Sequence, residues 1–222
     1  MSRKAAAGTP YGRAYAEGRE AQRRLVLDTA SALLERDGPE ALTMRRIAGE
    51  LGCSTSVLYT MFGGKAGVAE GLWCEGFERL HAALSAAAAA AGSADPLARL
   101  AAMGRAYRES ARADRSYYAV MFQRSIPGFA PSPEARAVSL RPLQLLVDAV
   151  TACMEAGVFR SADPGYVARV LWAASHGSVS LELAGYEGAE DRAGARYDDL
   201  LAAAASWFMV DGGRRSDVPV RE

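Results

Sequence analysis

Apolar residues recur every three or four positions along most of this chain, which is the period of one helical face. The pattern predicts a first helix from about Glu17 to Arg36, with a buried stripe of Val26, Ala30, Leu33 and Leu34. No segment alternates apolar and polar residues with the period of two that a half-buried strand requires. The sequence therefore predicts an all-α fold.

Helix-start signals divide the second half of the chain. The Asp-Pro pairs at 95–96 and 163–164 each combine a carboxylate N-cap with a proline in the first turn. A helix ending near Glu155 contains Pro142, which is expected to kink it or to mark a restart. Together with the first half, these signals predict nine helices.

The last predicted helix, from about Ala193 to Val210, is apolar on two faces. Leu201, Ala205 and Phe208 share one face, and Leu200, Ala203 and Trp207 share another. One face is expected to meet the protein's own core. The other is expected to meet a second copy of the chain.

Residues 43–62 have the pattern of a helix-turn-helix: they read TMRRIAGELGCSTSVLYTMF. Thr43 can cap the first helix, and Ile47 and Ala48 fall on its inner face. Gly52 lies where this helix must stop, in a left-handed conformation that favours glycine. Ala48 is small enough to let two helices cross closely.

The second helix of this unit is short and is expected to be capped by Ser54. Val57 and Leu58 are predicted to point inward. The outward side chains, suited to phosphates and base edges in a major groove, are predicted to be Thr55, Ser56, Tyr59 and Thr60. The same pattern also occurs in helix pairs that never touch DNA, so an all-α protein-interaction module stays open as the alternative.

Composition limits the other classes of function. The formal net charge is 0, but residues 1–24 carry six basic and two acidic side chains, a local excess of +4 that fits either an arm along DNA or a solvated tail. The three cysteines are odd in number and far apart, without a Cys-x-x-Cys pair or a Cys/His cluster, so we expect buried, reduced thiols in a cytoplasmic protein. Neither an enzyme motif nor a metal or cofactor signature is present, so we expect no enzymatic activity and no cofactor.

The run from Tyr59 to Lys65, YTMFGGK, resembles the Tyr-x-x-Phe-x-x-Lys segment that closes the DNA-binding head of TetR-family repressors. Upstream, the LTMRRIA run that begins at Leu42 resembles the family's approach to its second helix. Gly64 departs from the family, which usually has Ser, Asn or Asp before the lysine. The resemblance is at the level of motifs over about residues 20–80.

This resemblance implies a nine-helix, two-domain fold with a helix-turn-helix head and a helical body for ligand binding and dimerisation. It implies phosphate contacts by Thr43, Tyr59 and Lys65. Base reading would fall to Thr55, Ser56 and Thr60, joined by Arg45 and flanked by the capping Ser54. The alternative interpretation of Tyr59 is a core aromatic residue with its hydroxyl at the surface.

The predicted domains follow the same layout. They are a disordered arm (1–16), the DNA-binding head (17–80), a helix end and linker (81–94), the body (95–211) and a tail (212–222). The longest run of small apolar residues, 85–91, is too short to span a bilayer, and no signal peptide opens the chain. A cytoplasmic protein that does not contact a membrane is expected.

In the body, Trp172, His176 and Gly177 resemble a Trp-x-x-x-His-Gly motif of one subgroup of the family. His176 is either a core histidine bonded to a neighbouring hydroxyl or carbonyl, with Gly177 allowing close packing, or part of a ligand pocket. The pocket interpretation predicts an apolar or aromatic effector bound by Tyr107, Tyr118, Met121, Phe122, Leu146, Val147, Val150, Trp172 and His176. Arg105 or Arg108 could add an anion contact, unless they are surface charges.

The expected function is that of a ligand-responsive repressor. A homodimer, formed through the last two helices, would bind a palindromic operator in double-stranded DNA. An effector that binds the two states of the dimer unequally would release it.

Overall fold

A computed structural model describes residues 9–92, 95–123, 125–186 and 190–210. This part of the chain holds nine α-helices and no strand, apart from one isolated bridge between Phe159 and Met209. The all-α prediction is confirmed. The helices are α1 (Pro10–Asp37), α2 (Met44–Leu51), α3 (Thr55–Phe62), α4 (Lys65–Ala91), α5 (Pro96–Ala113), α6 (Arg115–Phe122), α7 (Pro133–Glu155), α8 (Pro164–Leu183) and α9 (Glu190–Ser206).

The predicted helix starts are formed by side-chain caps. Asp95 accepts hydrogen bonds from the N–H groups of Leu97 and Ala98, both at 3.0 Å. Asp163 caps α8 in the same way, through the N–H groups of Gly165 and Tyr166. These bonds satisfy donors that have no partner within the helix.

Both terminal helices differ from their predicted bounds. α1 begins at Pro10, where Thr9 accepts the N–H of Gly12 at 3.0 Å, so disorder was the wrong prediction for residues 10–16. Residues 1–8 and the predicted tail at 212–222 lie outside the described residues. α9 ends at Ser206, and the chain then pairs with the α7–α8 connection: Arg160 donates its N–H to the Phe208 carbonyl at 2.8 Å.

The chain divides into two compact units. The head unit comprises the residues up to Arg79 together with Asp114–Ser139, and the body unit comprises Leu80–Ala113 and the residues from Leu140 onward. α6 therefore falls in the head unit, whereas the sequence placed it in the body. α4 and α7 contribute to both units.

The head unit has one hydrophobic core. The predicted α1 stripe is buried, and it meets Ile47 and Ala48 of α2 and Leu58 of α3. Tyr117 and Val120 of α6 belong to the same core, as do Val68 and Leu72 of α4. The close crossing of α2 and α3 fits the small side chain of Ala48.

In the body unit, α5, α8 and α9 pack around the fully buried Tyr197. Its hydroxyl donates to the Gly104 carbonyl at 2.5 Å and lies 2.6 Å from the Ser175 hydroxyl. Burial raises the pKa of Tyr197 to about 12, which keeps the phenol protonated. A side-chain carbon on Gly104 would come within 2.6 Å of Leu201, so glycine is what lets α5 approach α9.

One helix among the described residues, α7, is long and apolar enough to cross a membrane by length and composition alone. Its interior carries Arg141 and Asp148, and charged side chains are costly at the centre of a bilayer. Pro142 lies inside the continuous helix, so the chain does not restart there. We interpret α7 as a helix of the protein fold.

Candidate functional site

The turn between α2 and α3 has the geometry that the sequence predicts. Thr43 is the N-cap of α2, and its hydroxyl accepts the N–H of Arg46 at 3.3 Å. Gly52 ends the helix at φ 63° and ψ 29°, a left-handed conformation. The N–H of Cys53 then bonds the Ala48 carbonyl at 3.0 Å, which closes the turn.

Ser54 occupies the N-cap position of α3, but its side chain makes no capping hydrogen bond. Its carbonyl accepts the N–H of Val57 at 3.2 Å instead. Ser54 is therefore the N-cap residue, as predicted, but the expected hydrogen bond to its side-chain hydroxyl is absent. The Ser54 side chain is exposed.

α3 presents a polar face to solvent. Ser56, Tyr59 and Thr60 are exposed, with 54% of Tyr59 accessible, and Thr55 is half-buried. The Thr60 hydroxyl donates to the Ser56 carbonyl at 2.9 Å, which leaves its lone pairs to accept. These side chains form one outward surface, and we call it the α3 face.

Val57 also belongs to the α3 face, because 48% of it is exposed. The prediction that it points inward is wrong, whereas Leu58 is fully buried as expected. Successive helical residues are about 100° apart, so Leu58 at the centre of the buried side turns Val57 outward. The helical period alone would have identified Val57 as an exposed apolar residue.

Two glycines connect α3 to α4. Gly63 has φ 73° and Gly64 has φ 150°, both outside the conformations that other residues adopt readily. The positive φ of Gly64 therefore explains why glycine, and not Ser, Asn or Asp, precedes Lys65. The Gly64 carbonyl accepts the N–H of Val68 at 3.1 Å, and Lys65 begins α4 with an exposed side chain. A cation here opposes the helix dipole and gains from a bound anion.

α4 packs against the end of α3 through two glycines that sequence reasoning missed. A side-chain carbon on Gly67 would overlap the Phe62 carbonyl oxygen, and one on Gly71 would come within 3.2 Å of the Phe62 ring. Their i, i+4 spacing in GVAEG could have indicated this groove. These glycines let α4, which begins at Lys65, approach the end of α3, which carries Tyr59.

The two arginines of α2 have different surroundings. Arg46 forms an ion pair with Asp37 at the end of α1, and neighbouring Arg36 pairs with Glu50 at 2.7 Å. Arg45 is exposed and forms no ion pair among the described residues. Arg45, in the first turn of α2, therefore differs from Arg46 in that no ion pair among the described residues holds its guanidinium.

An ionic cluster fastens α6 to α1 and α4 within the head unit. The Tyr117 hydroxyl donates to Asp28 at 3.0 Å, and Arg79 binds the same carboxylate at 2.5 Å. Arg79 also bonds Glu75 at 2.8 Å, and its guanidinium lies 4.5 Å from the Tyr117 ring centre. Burial raises the pKa of Tyr117, so its phenol remains a donor.

In the body unit, the Tyr107 hydroxyl lies 2.9 Å from Nδ1 of His176. The His176 ring is tilted against Trp172, with centroids 6.0 Å apart. Burial lowers the pKa of His176, which favours the neutral ring. This hydroxyl contact matches the structural interpretation of the histidine. A side-chain carbon on Gly177 would meet nothing within 4 Å, so the expectation of close packing there is wrong for the single chain.

The predicted ligand residues fall into two groups. Tyr107, Leu146, Val147, Val150, Trp172 and His176 belong to the body unit, and Tyr118, Met121 and Phe122 belong to the head unit. The second group packs against α4. The Phe122 ring lies 5.5 Å from that of Phe77 and 5.1 Å from that of Tyr118, and a side-chain carbon on Gly76 would come within 2.6 Å of the Met121 sulfur.

Arg108 is not a surface charge. It binds Glu182 of α8 through two nitrogens, at 2.7 and 2.6 Å, with 13% of its side chain exposed. Arg112 approaches the same carboxylate at 3.3 Å. Arg105, by contrast, is exposed. The described residues contain no group of three His, Cys, Asp or Glu side chains that could hold a metal ion.

Two family models match the chain. Residues 26–72 match the model described as "Bacterial regulatory proteins, tetR family", and residues 100–204 match "Tetracyclin repressor-like, C-terminal domain". The first covers α2, α3 and the start of α4. A comparison with curated proteins gave no match.

Solved structures resemble the chain over most of its length. A protein of unknown function from Rhodococcus sp. RHA1 is 31% identical, covers 84% of this chain and 92% of its own, and has a TM-score of 0.69. The TetR family transcriptional regulator PfmR from Thermus thermophilus is 26% identical, with coverages of 80% and 97% and a TM-score of 0.62. The ketosteroid transcriptional regulator KstR2 of Mycobacterium tuberculosis, at 22% identity, coverages of 86% and 96% and a TM-score of 0.60, shows likeness of fold.

Proposed function

Since the chain belongs to the TetR family of bacterial regulatory proteins and is a DNA-binding regulator, we propose that it is a cytoplasmic, effector-responsive repressor. It acts as a homodimer on a palindromic operator and catalyses no reaction. The observation that carries the proposal is the α3 face. Polar side chains and Val57 project from a short helix that lies between two left-handed glycines, Gly52 and Gly63, beside the exposed Lys65.

The proposed docking places α3 in the major groove of each half-site. Thr43, Tyr59 and Lys65 hold phosphates, and the free N–H groups at the start of α4 add to the attraction. Arg45 and the α3 face meet base edges, where methyl groups of Thr55 and Val57 suit thymine methyls. The short hydroxyl side chains read bases weakly, so DNA shape contributes to specificity.

The homodimer is supported by apolar surface on α8 and α9. On α8, Tyr166 and Leu181 are 52% and 50% exposed, and exposed Ala173 and Gly177 lie between them. On α9, Leu200 is 39% exposed, and just beyond the end of the helix Trp207 is 57% exposed, whereas Phe208 is buried. A single chain therefore leaves one apolar face of each helix in water, as a symmetric pairing of two copies requires.

The effector is proposed to bind among the predicted ligand residues of the body unit. The Tyr107–His176 pair offers a hydroxyl and a neutral imidazole beside the Trp172 ring. Such a group can orient an apolar or aromatic molecule through one or two polar contacts. Ligand must bind the DNA-competent and DNA-incompetent states unequally to release the operator.

The test begins with selection of bound sequences from a randomised pool of duplex DNA. Fluorescence anisotropy then compares the selected duplex with a random duplex at several salt concentrations. We expect a palindromic consensus with two half-sites about one helical turn apart or slightly more. The Tyr59→Ala and Lys65→Ala double variant should weaken binding to all sequences and reduce the salt slope by about one for each phosphate that the variant no longer binds.

Tyr186→Ala is the matched control, because Tyr186 is 81% exposed and lies three residues beyond the end of α8. It should bind the selected duplex like the wild type. If the pool yields no preferred sequence, or if the double variant binds like the wild type while both remain folded, the interaction-module alternative replaces the repressor.

A further inference from the structure

α1 extends well beyond the part of it that packs into the core of the head unit. Its first core residue is Val26, yet the helix begins at Pro10. Every residue from Pro10 to Leu25 is exposed or half-buried, except Gly12. More than four helical turns thus precede the part of α1 that packs into the core of the head unit. The segment that matches the family's head model begins only at residue 26.

Arg23 marks the point at which α1 leaves the core of the head unit. Its guanidinium lies over the Phe62 ring, 5.6 Å from the centroid, and 3.3 Å from the position of a side-chain carbon on Gly71. Phe62 ends α3, between Tyr59 and Lys65. Arg23 therefore marks the level on α1 that corresponds to the proposed phosphate contacts.

The residues Pro10–Gln22 continue beyond that level, on the side away from the core. At about 1.5 Å per residue they reach roughly 20 Å past Arg23. Duplex DNA rises about 3.4 Å per base pair, so this reach corresponds to roughly six base pairs. We call Pro10–Gln22 the α1 extension.

The α1 extension carries the chemistry of a phosphate contact. Tyr11 and Tyr15 are 78% and 60% exposed, and their rings stack in near-parallel planes with centroids 6.5 Å apart. Arg13 and Arg19 are exposed, and no acidic side chain precedes Glu17. Phenol hydroxyls and guanidinium groups bind phosphate oxygens, and tyrosine rings can pack against sugars.

We propose that the α1 extension binds the sugar–phosphate backbone of the DNA that flanks each half-site. The proposal rests on the proposed function, because it requires α3 to dock on an operator. A helix is too wide for the minor groove, so the extension lies along the backbone. It adds affinity and salt dependence without reading sequence, and it lengthens the protected DNA by several base pairs on each side.

The experiment uses the selected duplex in two lengths, with either two or ten base pairs beyond each half-site. The wild type should bind the long duplex about tenfold more tightly than the short one at moderate salt, because counterions are released at the additional phosphates. The Tyr11→Ala and Tyr15→Ala double variant should lose part of this difference, because the phenol and ring contacts are gone, keep the salt slope of the wild type, and bind the short duplex normally. Alanine favours an exposed helix, so the variant should remain folded.

Further variants separate the contributions of the tyrosine rings, the tyrosine hydroxyls and the arginine charges to binding of the long duplex. Tyr11→Phe with Tyr15→Phe keeps the rings and removes the hydroxyls. Arg13→Gln with Arg19→Gln should flatten the salt slope on the long duplex only, and Tyr186→Ala should retain the full difference between the two lengths.

The two proposals fail in different ways. Specific binding with equal affinity for both lengths would overturn the role of the α1 extension and leave the repressor intact. Equal loss of affinity on both lengths in the tyrosine variant would also overturn it, because the residues would then act within the half-site. Absence of any selected sequence would overturn the repressor and this inference together.

Discussion

Gly67 of α4 lies against the carbonyl oxygen of Phe62, the last residue of α3, so closely that any side chain at residue 67 would overlap it. Gly67→Ala must therefore push α4 away from α3. We expect a destabilisation of about 1–3 kcal/mol, typical of overpacking, and weaker DNA binding because Tyr59 and Lys65 shift. Urea denaturation and anisotropy would measure the two effects.

Gly49→Ala is the matched control. Gly49 lies in α2, and a side-chain carbon there would meet nothing within 4 Å. This variant should be more stable by about 0.5–1 kcal/mol, because alanine loses less backbone entropy in a helix. Equal stability of the two variants would show that the Phe62–Gly67 contact does not hold α3 in place.

Substitutions of the neighbouring residues Arg45 and Arg46 should have different effects, one on DNA specificity and the other on protein stability. Arg45→Ala should cost about 1–3 kcal/mol in discrimination between the selected duplex and its base-substituted versions, with unchanged stability. Arg46→Ala removes an exposed ion pair with Asp37, so it should cost about 0–1 kcal/mol in stability and little specificity. Anisotropy on a panel of single-substitution duplexes would decide, and loss of specificity only in Arg46→Ala would reverse the assignment.

Leu200→Asp should dissociate the dimer. Leu200 is 39% exposed on the outer face of α9, so a carboxylate is tolerated in the single chain but would be buried unpaired between two copies. Sedimentation velocity should show a smaller particle than the wild type at the same concentration. Leu25→Asp, at a 58% exposed residue of α1, should leave the mass unchanged. A dimer in both variants would place the interface elsewhere.

Lowering the pH should reduce the stability of the body unit, because His176 takes up a proton on unfolding. Burial lowers its folded-state pKa below the ordinary value of 6.5, so the unfolded chain binds a proton at higher pH than the folded chain does. The free energy of unfolding should therefore be highest above about pH 6.5, and fall as the pH drops toward the lower, folded-state pKa. Urea denaturation between pH 7.5 and 5.5 would measure the slope.

His176→Gln should reduce that slope. Tyr107→Phe should retain it, since the cause is burial of the imidazole and not its hydrogen bond to the tyrosine. A wild-type slope in His176→Gln would exclude the histidine as its source.

Local signals predicted the helix starts and the glycine turns well. Thr43, Gly52, Asp95 and Asp163 act through hydrogen bonds or backbone angles within a few residues, so the sequence contains the whole interaction. The failure at Val57 was also local. Two adjacent apolar residues were both placed inside, although the helical period allows only one of them at the centre of the buried side.

Contacts between distant segments could not be predicted in this way. Arg108 and Glu182 are 74 residues apart, and Tyr117 and Asp28 are 89 apart. Only the folded chain brings them together, so Arg108 looked like a surface charge. The start of α1 was missed for a different reason, because small and polar residues before Glu17 carry no apolar stripe, and this stretch of helix needs none.

The exposed amino group at the start of α4 makes a simple chemical probe possible. The chain has 222 residues but only two lysines, Lys4 and Lys65. An acylating reagent that attacks amines therefore has two side-chain targets, which a peptide mass map resolves separately. The rate at which Lys65 is acylated with and without operator would report occupancy of a single phosphate contact, in the unaltered protein and without a fluorescent label.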